Sequence, residues 1–216
     1  MVQLLNLGSN NAVSHRVRRK YEARQLEILH AAARVFRRHG VAAAGMREIA
    51  EEADLSPGNL YHYFSGKDQI LLFCQDRTLE HLLAAVKAAQ RSTAAVAEQL
   101  RALMRDHVHC MLDELEGATA HLEIEALPEE LREPMIEKRD TYEKAVRALV
   151  AKGMKRGEFA PGDASLVTRA MLGAVNWTAR WYRPDGSKSV AEIARSLSDY
   201  LIRGLGAAVP STGVRK

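Results

Sequence analysis

Twenty-two residues, Met46 to Lys67, read MREIAEEADLSPGNLYHYFSGK and leave the backbone little freedom. Ile49, Ala50 and Ala53 recur at helical spacing, with Arg47, Glu48, Glu51 and Glu52 on the opposite side. Asp54-Leu55-Ser56 interrupts this helix, and Ser56-Pro57 opens another. Serine at an N-cap accepts a hydrogen bond from an orphan amide, and proline at the first helical position forfeits no bond. The second helix, predicted over Pro57 to Phe64, is very short. Leu60 and Phe64 lie four apart and point inward, which leaves Asn59, Tyr61, His62 and Tyr63 outward. Two short helices across a three-residue turn form a helix-turn-helix, whose second helix enters a DNA major groove. Tyrosine, histidine and asparagine reach base edges or phosphates, and the Pro57-Gly58 start offers backbone amides to a phosphate. A tight helical hairpin with scattered surface aromatics is the bland alternative.

The longer pattern IAxxADLSPGNLYHYFxGKxxIL closely resembles the DNA-binding segment of TetR/AcrR-type transcriptional repressors. The likeness takes in Phe36, Gly40, Arg47, Ile49, Ala50, Ala53, Leu55, Ser56, Gly58, Leu60, Tyr61, Tyr63, Phe64, Lys67 and Leu71. In that family a threonine or serine usually caps the first motif helix and touches a phosphate, whereas here Ala44-Gly45-Met46 stands in its place. Glycine is an acceptable N-cap but carries no hydroxyl. Lys67 resembles the family's phosphate-contacting lysine. The DNA-binding candidates are therefore Arg16, Arg18, Arg19, Lys20, Gly45, Arg47, Ser56, Pro57, Gly58, Asn59, Tyr61, His62, Tyr63 and Lys67.

Charge supports this placement. Of 31 Lys/Arg and 27 Asp/Glu, residues 1–67 hold ten basic and six acidic, so the whole formal excess of +4 falls in that segment. Such asymmetry fits a phosphate-binding head on a neutral body. Arg16 to Lys20, RVRRK, is predicted to form a basic arm ahead of the first long helix, able to follow the phosphate backbone; a solvated tail is the alternative. Residues 1–15 are read as a flexible arm with no signal-peptide pattern, 16–66 as the head, 67–206 as the body and 207–216 as a frayed tail. Cys74 and Cys110, both in apolar helical contexts, read as reduced core residues of a cytoplasmic protein.

The remainder predicts an all-α chain of about nine helices, with no run apolar enough to span a membrane. Leu26, Leu29, Ala33 and Phe36 mark the first helix, ended by Gly40. A linking helix follows from Lys67 to Gln90, then one from Ala94 to Leu115, whose inward face carries Leu100, Leu103, Met104, His107 and Met111. Methionines and a histidine there suit either an adaptable ligand cavity or plain core packing. His107 and His109 diverge, which disfavours a shared metal. A short helix is expected over Ala118 to Ala126, and Pro128 and Pro134 are expected to prevent one uninterrupted helix through that region. The next helix buries Tyr142, Ala145, Val146 and Leu149 and ends before Gly157. Asp163 is expected to cap a helix to about Tyr182 that is apolar nearly all round, hence buried on two sides. The last runs from about Val190 to Leu205.

The resemblance implies an all-α homodimer joined through its last two helices, in which a ligand in the body alters the spacing of two heads on operator DNA. The expected interface comprises Leu166, Ala170, Gly173, Ala174, Ile193, Leu197 and Leu201. Gly173, Asn176, Trp177, Trp181, Tyr182, Pro184 and Gly186 resemble a subgroup that represses fatty-acid, sterol-ring or aromatic-acid breakdown and is released by acyl-CoA thioesters. The ligand-binding candidates are Leu103, Met104, His107, Met111, Tyr142, Met171, Asn176, Trp177, Arg180 and Trp181, with Arg180 or Arg183 toward a pyrophosphate; the tryptophans suit a dimer interface equally well. No cofactor or metal is expected. The chain shows no GxSxG, phosphate loop, HExxH or CxxC, so an enzyme is disfavoured. A drug-sensing efflux repressor and a small-molecule carrier without DNA function are the competing readings.

Overall fold

The computed structural model describes residues 7–112 and 124–206, with side chains described from residue 16 onward. Eight α-helices occur among these residues: α1 (Leu7–Ala43), α2 (Met46–Glu52), α3 (Pro57–Tyr63), α4 (Lys67–Arg91), α5 (Val96–Leu112), α6 (Glu129–Lys155), α7 (Ala164–Trp181) and α8 (Val190–Gly204). The segment expected as a ninth helix lies outside the described residues over 118–123, and its end, Ile124–Ala126, is a 3₁₀ turn. The terminal expectations for residues 1–6 and 207–216 also fall outside them.

Three boundaries differ from expectation. The backbone is helical from Leu7, so the basic run Arg16–Lys20 rides on α1 instead of preceding it. Gly40, at φ 78° and ψ 157°, breaks α1 in a region that only glycine adopts readily, and Val41–Ala43 continue beyond the kink. Pro134 lies inside α6, contrary to the expected interruption. Its missing N–H affects only the second turn, where Glu130, Glu133 and Pro134 are exposed and water can serve the unpaired carbonyl. Pro128 alone ends the preceding segment, as the N-cap of α6.

Side chains fill two cores. The first gathers Ile28, Leu29, Phe36, Ile49, Leu60 and Phe64 from α1–α3 with Ile70, Leu71, Cys74 and Leu79 of α4, and extends to Ile124, Leu127 and Met135. The second gathers Leu82 and Val86 of α4 with Leu100, Leu103, Met104, Tyr142, Val146, Met171, Val175, Ile193 and Ile202. Both cysteines are buried, and burial raises the Cys74 thiol to about 12. No described helix is long and apolar enough to cross a membrane.

Local chemistry sets the helix ends. Asp163 accepts from the Ser165 and Leu166 amides at 2.8 and 3.2 Å. Ser189 and Glu192 form a reciprocal capping box at α8 that the sequence reading missed. Gly157, at φ 72°, turns the chain out of α6, and the link is tied to the end of α8 by Ala160 N–H donating to Leu205 O at 2.8 Å. Phe159 then folds back onto α6: a Cβ at Gly153 would stand 2.2 Å from its ring carbons. Gly153→Ala should therefore lower unfolding stability by about 1–3 kcal/mol, read from urea denaturation. An unchanged midpoint would show that Phe159 does not seat there.

Candidate nucleic-acid interface and effector chamber

α3 is held by what it buries. Leu60 is fully covered, Phe64 nearly so, and Phe64 packs on Phe73 of α4 at 5.4 Å between ring centroids. Ser56 Oγ accepts from Asn59 N–H at 3.3 Å, giving the N-cap expected from sequence. With those positions fixed, Pro57, Gly58, Asn59, Tyr61 and His62 are exposed together, and Arg47 of α2 is exposed beside them in the motif. Gly45 caps α2 without a side-chain hydrogen bond, so the hydroxyl contact usual in the resembled family is absent. The arrangement offers aromatic, imidazole and amide groups on one short rigid element, which is what groove readout requires.

Two candidates do structural duty as well. Tyr63 is half-buried and stacks on Tyr21 of α1, with centroids 4.9 Å apart. Lys67 Nζ donates to the carbonyls of Val41 and Ala42 at 2.8 and 3.0 Å, tying α4 to the end of α1. Two of its three N–H donors are thus engaged, leaving one for a phosphate.

The basic excess is also less available than the count of charges suggests. Arg34 Nε donates to Glu52 at 2.6 Å, Arg38 joins the same carboxylate, and Arg24 reaches the carbonyls of Ala53 and Asp54 at 3.4 and 3.3 Å. The hydrogen bond from Arg34, then that from Arg38, holds the Glu52 carboxyl below its usual value. His39 pairs with Glu48 at 2.8 Å. These contacts fasten α2 to α1. Arg16, Arg18, Arg19 and Lys20 are exposed, Arg18 pairing with Glu22 at 2.8 Å.

In the body, Leu103, Met104, His107 and Met111 of α5, Tyr142 of α6 and Met171 of α7 are brought together in one core. His107 Nδ1 and Tyr142 Oη are 3.1 Å apart. Asn176 of α7 flanks the imidazole, yet His107 Nε2 and Asn176 Oδ1 are buried without a completed hydrogen bond. Burial lowers the His107 pKa to about 4, so the ring is neutral near pH 7. Leu103 additionally lines a groove of about 430 Å³ between the end of α4 and the start of α5, with Ala85, Ala89, Gln99 and Asp106.

Three expected ligand residues lie elsewhere. Trp177 and Trp181 are 65% and 48% exposed, and Arg180 is exposed with them. The tryptophans extend an outer stripe with Leu166, Ala170 and Gly173, with Tyr200 of α8 also exposed. Of the expected interface, Ala174, Leu197 and Leu201 are half-buried, and Ile193 is buried in the chain's own core, because α8 turns its single apolar stripe onto α5. Arg139 of α6, not singled out from the sequence, is half-buried. Met135, Arg139, Tyr142 and Val146 follow the spacing of one α6 face, a register that could have revealed it.

The family described as "Bacterial regulatory proteins, tetR family" matches residues 28–73. "Tetracyclin repressor-like, C-terminal domain" matches residues 93–205. The HTH-type transcriptional repressor KstR2 of Mycobacterium tuberculosis is 26% identical over 198 residues, 88% of this chain and 96% of that protein. The crystal structure of PfmR, a TetR family regulator from Thermus thermophilus, is 34% identical with a TM-score of 0.74, covering 83% of this chain and 99% of that one. AibR in complex with isovaleryl coenzyme A and operator DNA shares the fold at TM-score 0.70 and 24% identity, covering 85% and 98%.

Tyr61→Ala should weaken operator binding and leave the melting temperature unchanged, because the side chain is 54% exposed. Lys67→Ala should reduce both, and should lower the salt dependence of binding by about one unit through its remaining donor. Binding isotherms across a salt series and thermal melts check this pair. The depressed His107 pKa fixes a sign too: below the unfolded value of 6.5 the unfolded chain binds a proton that the folded chain refuses until about 4. Stability should hold above pH 6.5 and fall between 6.5 and 4, by about 3 kcal/mol from this group. His107→Gln should flatten that limb in denaturant titrations at each pH.

Proposed function

The chain belongs to the TetR family of bacterial transcriptional regulators, and from that premise we propose a homodimeric repressor released from its operator by a small molecule, an acyl-CoA thioester. The observation that carries the reading is the division of surfaces. An exposed short helix stands on the head, a buried core holds a few polar groups among methionines, and an apolar stripe faces out from α7.

Each surface has a physical role. Asn59, Tyr61 and His62 would read base edges while Arg47, Ser56, Gly58 and Lys67 engage phosphates. The stripe Leu166, Ala170, Gly173, Trp177 and Trp181 would be covered by a second copy, with Gly173 allowing close helix approach. Such a contact is self-complementary and suits twofold symmetry. Twin heads then meet successive major grooves about 34–36 Å apart. An effector that favours another spacing lowers operator affinity by a coupling of about 1–3 kcal/mol, and operator lowers effector affinity equally.

The thioester is favoured by two likenesses. KstR2, similar along most of the chain, is a repressor, and AibR binds isovaleryl coenzyme A and operator DNA. Residues Leu103, Met104, Met111 and Met171 supply an adaptable apolar wall for an acyl chain.

Two measurements test this function. Wild-type protein should elute as a dimer and Trp177→Glu as a folded monomer with lost operator affinity; a dimeric variant would place the interface elsewhere. Octanoyl-CoA, isovaleryl-CoA and phenylacetyl-CoA, titrated against a complex with a fragment of the protein's own upstream DNA, should include at least one that releases it. Retention of the DNA against all three at saturating concentration would reject the thioester.

A further inference from the structure

Six arginines with described side chains are half-buried: Arg24, Arg34, Arg101, Arg132, Arg139 and Arg147. Five of them have a carboxylate partner: Glu27, Glu52, Glu98 with Asp199, Glu125 and Glu143 respectively. Arg139 completes no hydrogen bond or ion pair among the described residues. Asp140 and Glu125 favour its charge only through space, and Glu125 is already paired with Arg132 at 3.4 Å. Burial consequently holds its guanidinium below the usual value. Among the described residues this half-buried cation is left without a partner, which costs stability, and the anionic group of a bound molecule would offset that cost.

Its position says where that anion would lie. Arg139 shares the α6 face of Met135, Tyr142 and Val146, all three buried. Three residues of helix put it about 4.5 Å along the axis from Tyr142, within one turn. Tyr142 in turn contacts His107, which lies beside Asn176, and His107 Nε2 and Asn176 Oδ1 are each buried without a completed hydrogen bond. A polar track thus crosses from α6 through α5 to α7, and the neutral imidazole cannot serve as its cation.

We propose that Arg139 anchors the anionic group of an apolar-bodied effector, the uncharged polar part of which is met by His107 and Asn176. This deepens the effector-chamber reading and rests on it. The shared chemistry is an oxyanion, either the carboxylate of a free acid or a phosphate of a thioester's carrier, because a guanidinium fork binds both bidentately.

The test uses full-length wild type, Arg139→Met and Arg139→Lys, with thermal melts and calorimetric titration of octanoate, octanoyl-CoA, coenzyme A alone and neutral 1-octanol. Without any probe, Arg139→Met should melt roughly 2–4 °C above wild type, since an unpaired half-buried charge has been replaced by an apolar chain. An anionic probe should raise the wild-type melting temperature and bind Arg139→Met about tenfold more weakly or worse. Arg139→Lys should retain part of that affinity, and octanol should act equally on all three. Octanoate without coenzyme A would assign the carboxylate; coenzyme A without octanoate would assign the phosphate. A lower melting temperature for Arg139→Met, equal anion effects on both proteins, or no anion effect on wild type would each overturn the proposal. Should octanoate bind in an Arg139-dependent way while no thioester releases DNA, only the thioester reading falls.

Discussion

Between Leu79 and Leu82, less than one turn of α4, the chain passes from one hydrophobic core to the other. Ile70, Leu71, Cys74 and Leu79 belong with the DNA-reading helices, and Leu82 and Val86 belong with the body. No glycine or proline interrupts the helix across this junction, and its hydrogen-bond ladder runs unbroken from Lys67 to Arg91. A helix of this kind transmits displacement because packed interiors switch between arrangements instead of deforming smoothly. Lys67 fastens one end to the carbonyls of α1, while Lys138 of α6 pairs with Asp76 near the middle. Under the proposed function, a displacement of α6 or of the far end of α4 would reach the head along this helix.

The head itself is stiffened by polar ties. Arg24, Arg34, Arg38 and His39 hold α2 and its turn against α1, and Asp54 sits at φ 52° inside that turn. Arginines that a charge count assigns to DNA thus serve first to fix the angle between helices. Their use explains how α2 and α3, seven residues each, keep a defined geometry. Isolated helices of that length are not stable in water.

Local chemistry made much of the architecture legible. Gly40, the Ser56-Pro57 cap, the Leu60–Phe64 pair and the Asp163 cap all act within a few residues of themselves, so the sequence pattern reveals them directly. The shared exposure of Asn59, Tyr61 and His62 followed for the same reason. What stayed hidden depends on partners distant in sequence. Nothing near Ile193 indicates that α5 claims the α8 stripe, and nothing near Trp177 says that it lies outside the core. Lys67 shows its clamp only when Val41 and Ala42 come close. Pro134 misled because a single lost hydrogen bond near an exposed helix start is tolerable. Arg139 was passed over because a charged residue on an apolar face is ordinarily read as a surface position.

The proposed coupling between body and head is read most plainly from the distance between heads in the proposed dimer. A nitroxide placed at Glu51, exposed at the end of α2, allows pulsed dipolar spectroscopy because Cys74 and Cys110 are both buried. One narrow separation is expected on operator DNA, and a shifted one when a thioester that releases the DNA is added to the free dimer. An identical separation in both states, with release still occurring, would refute the coupling.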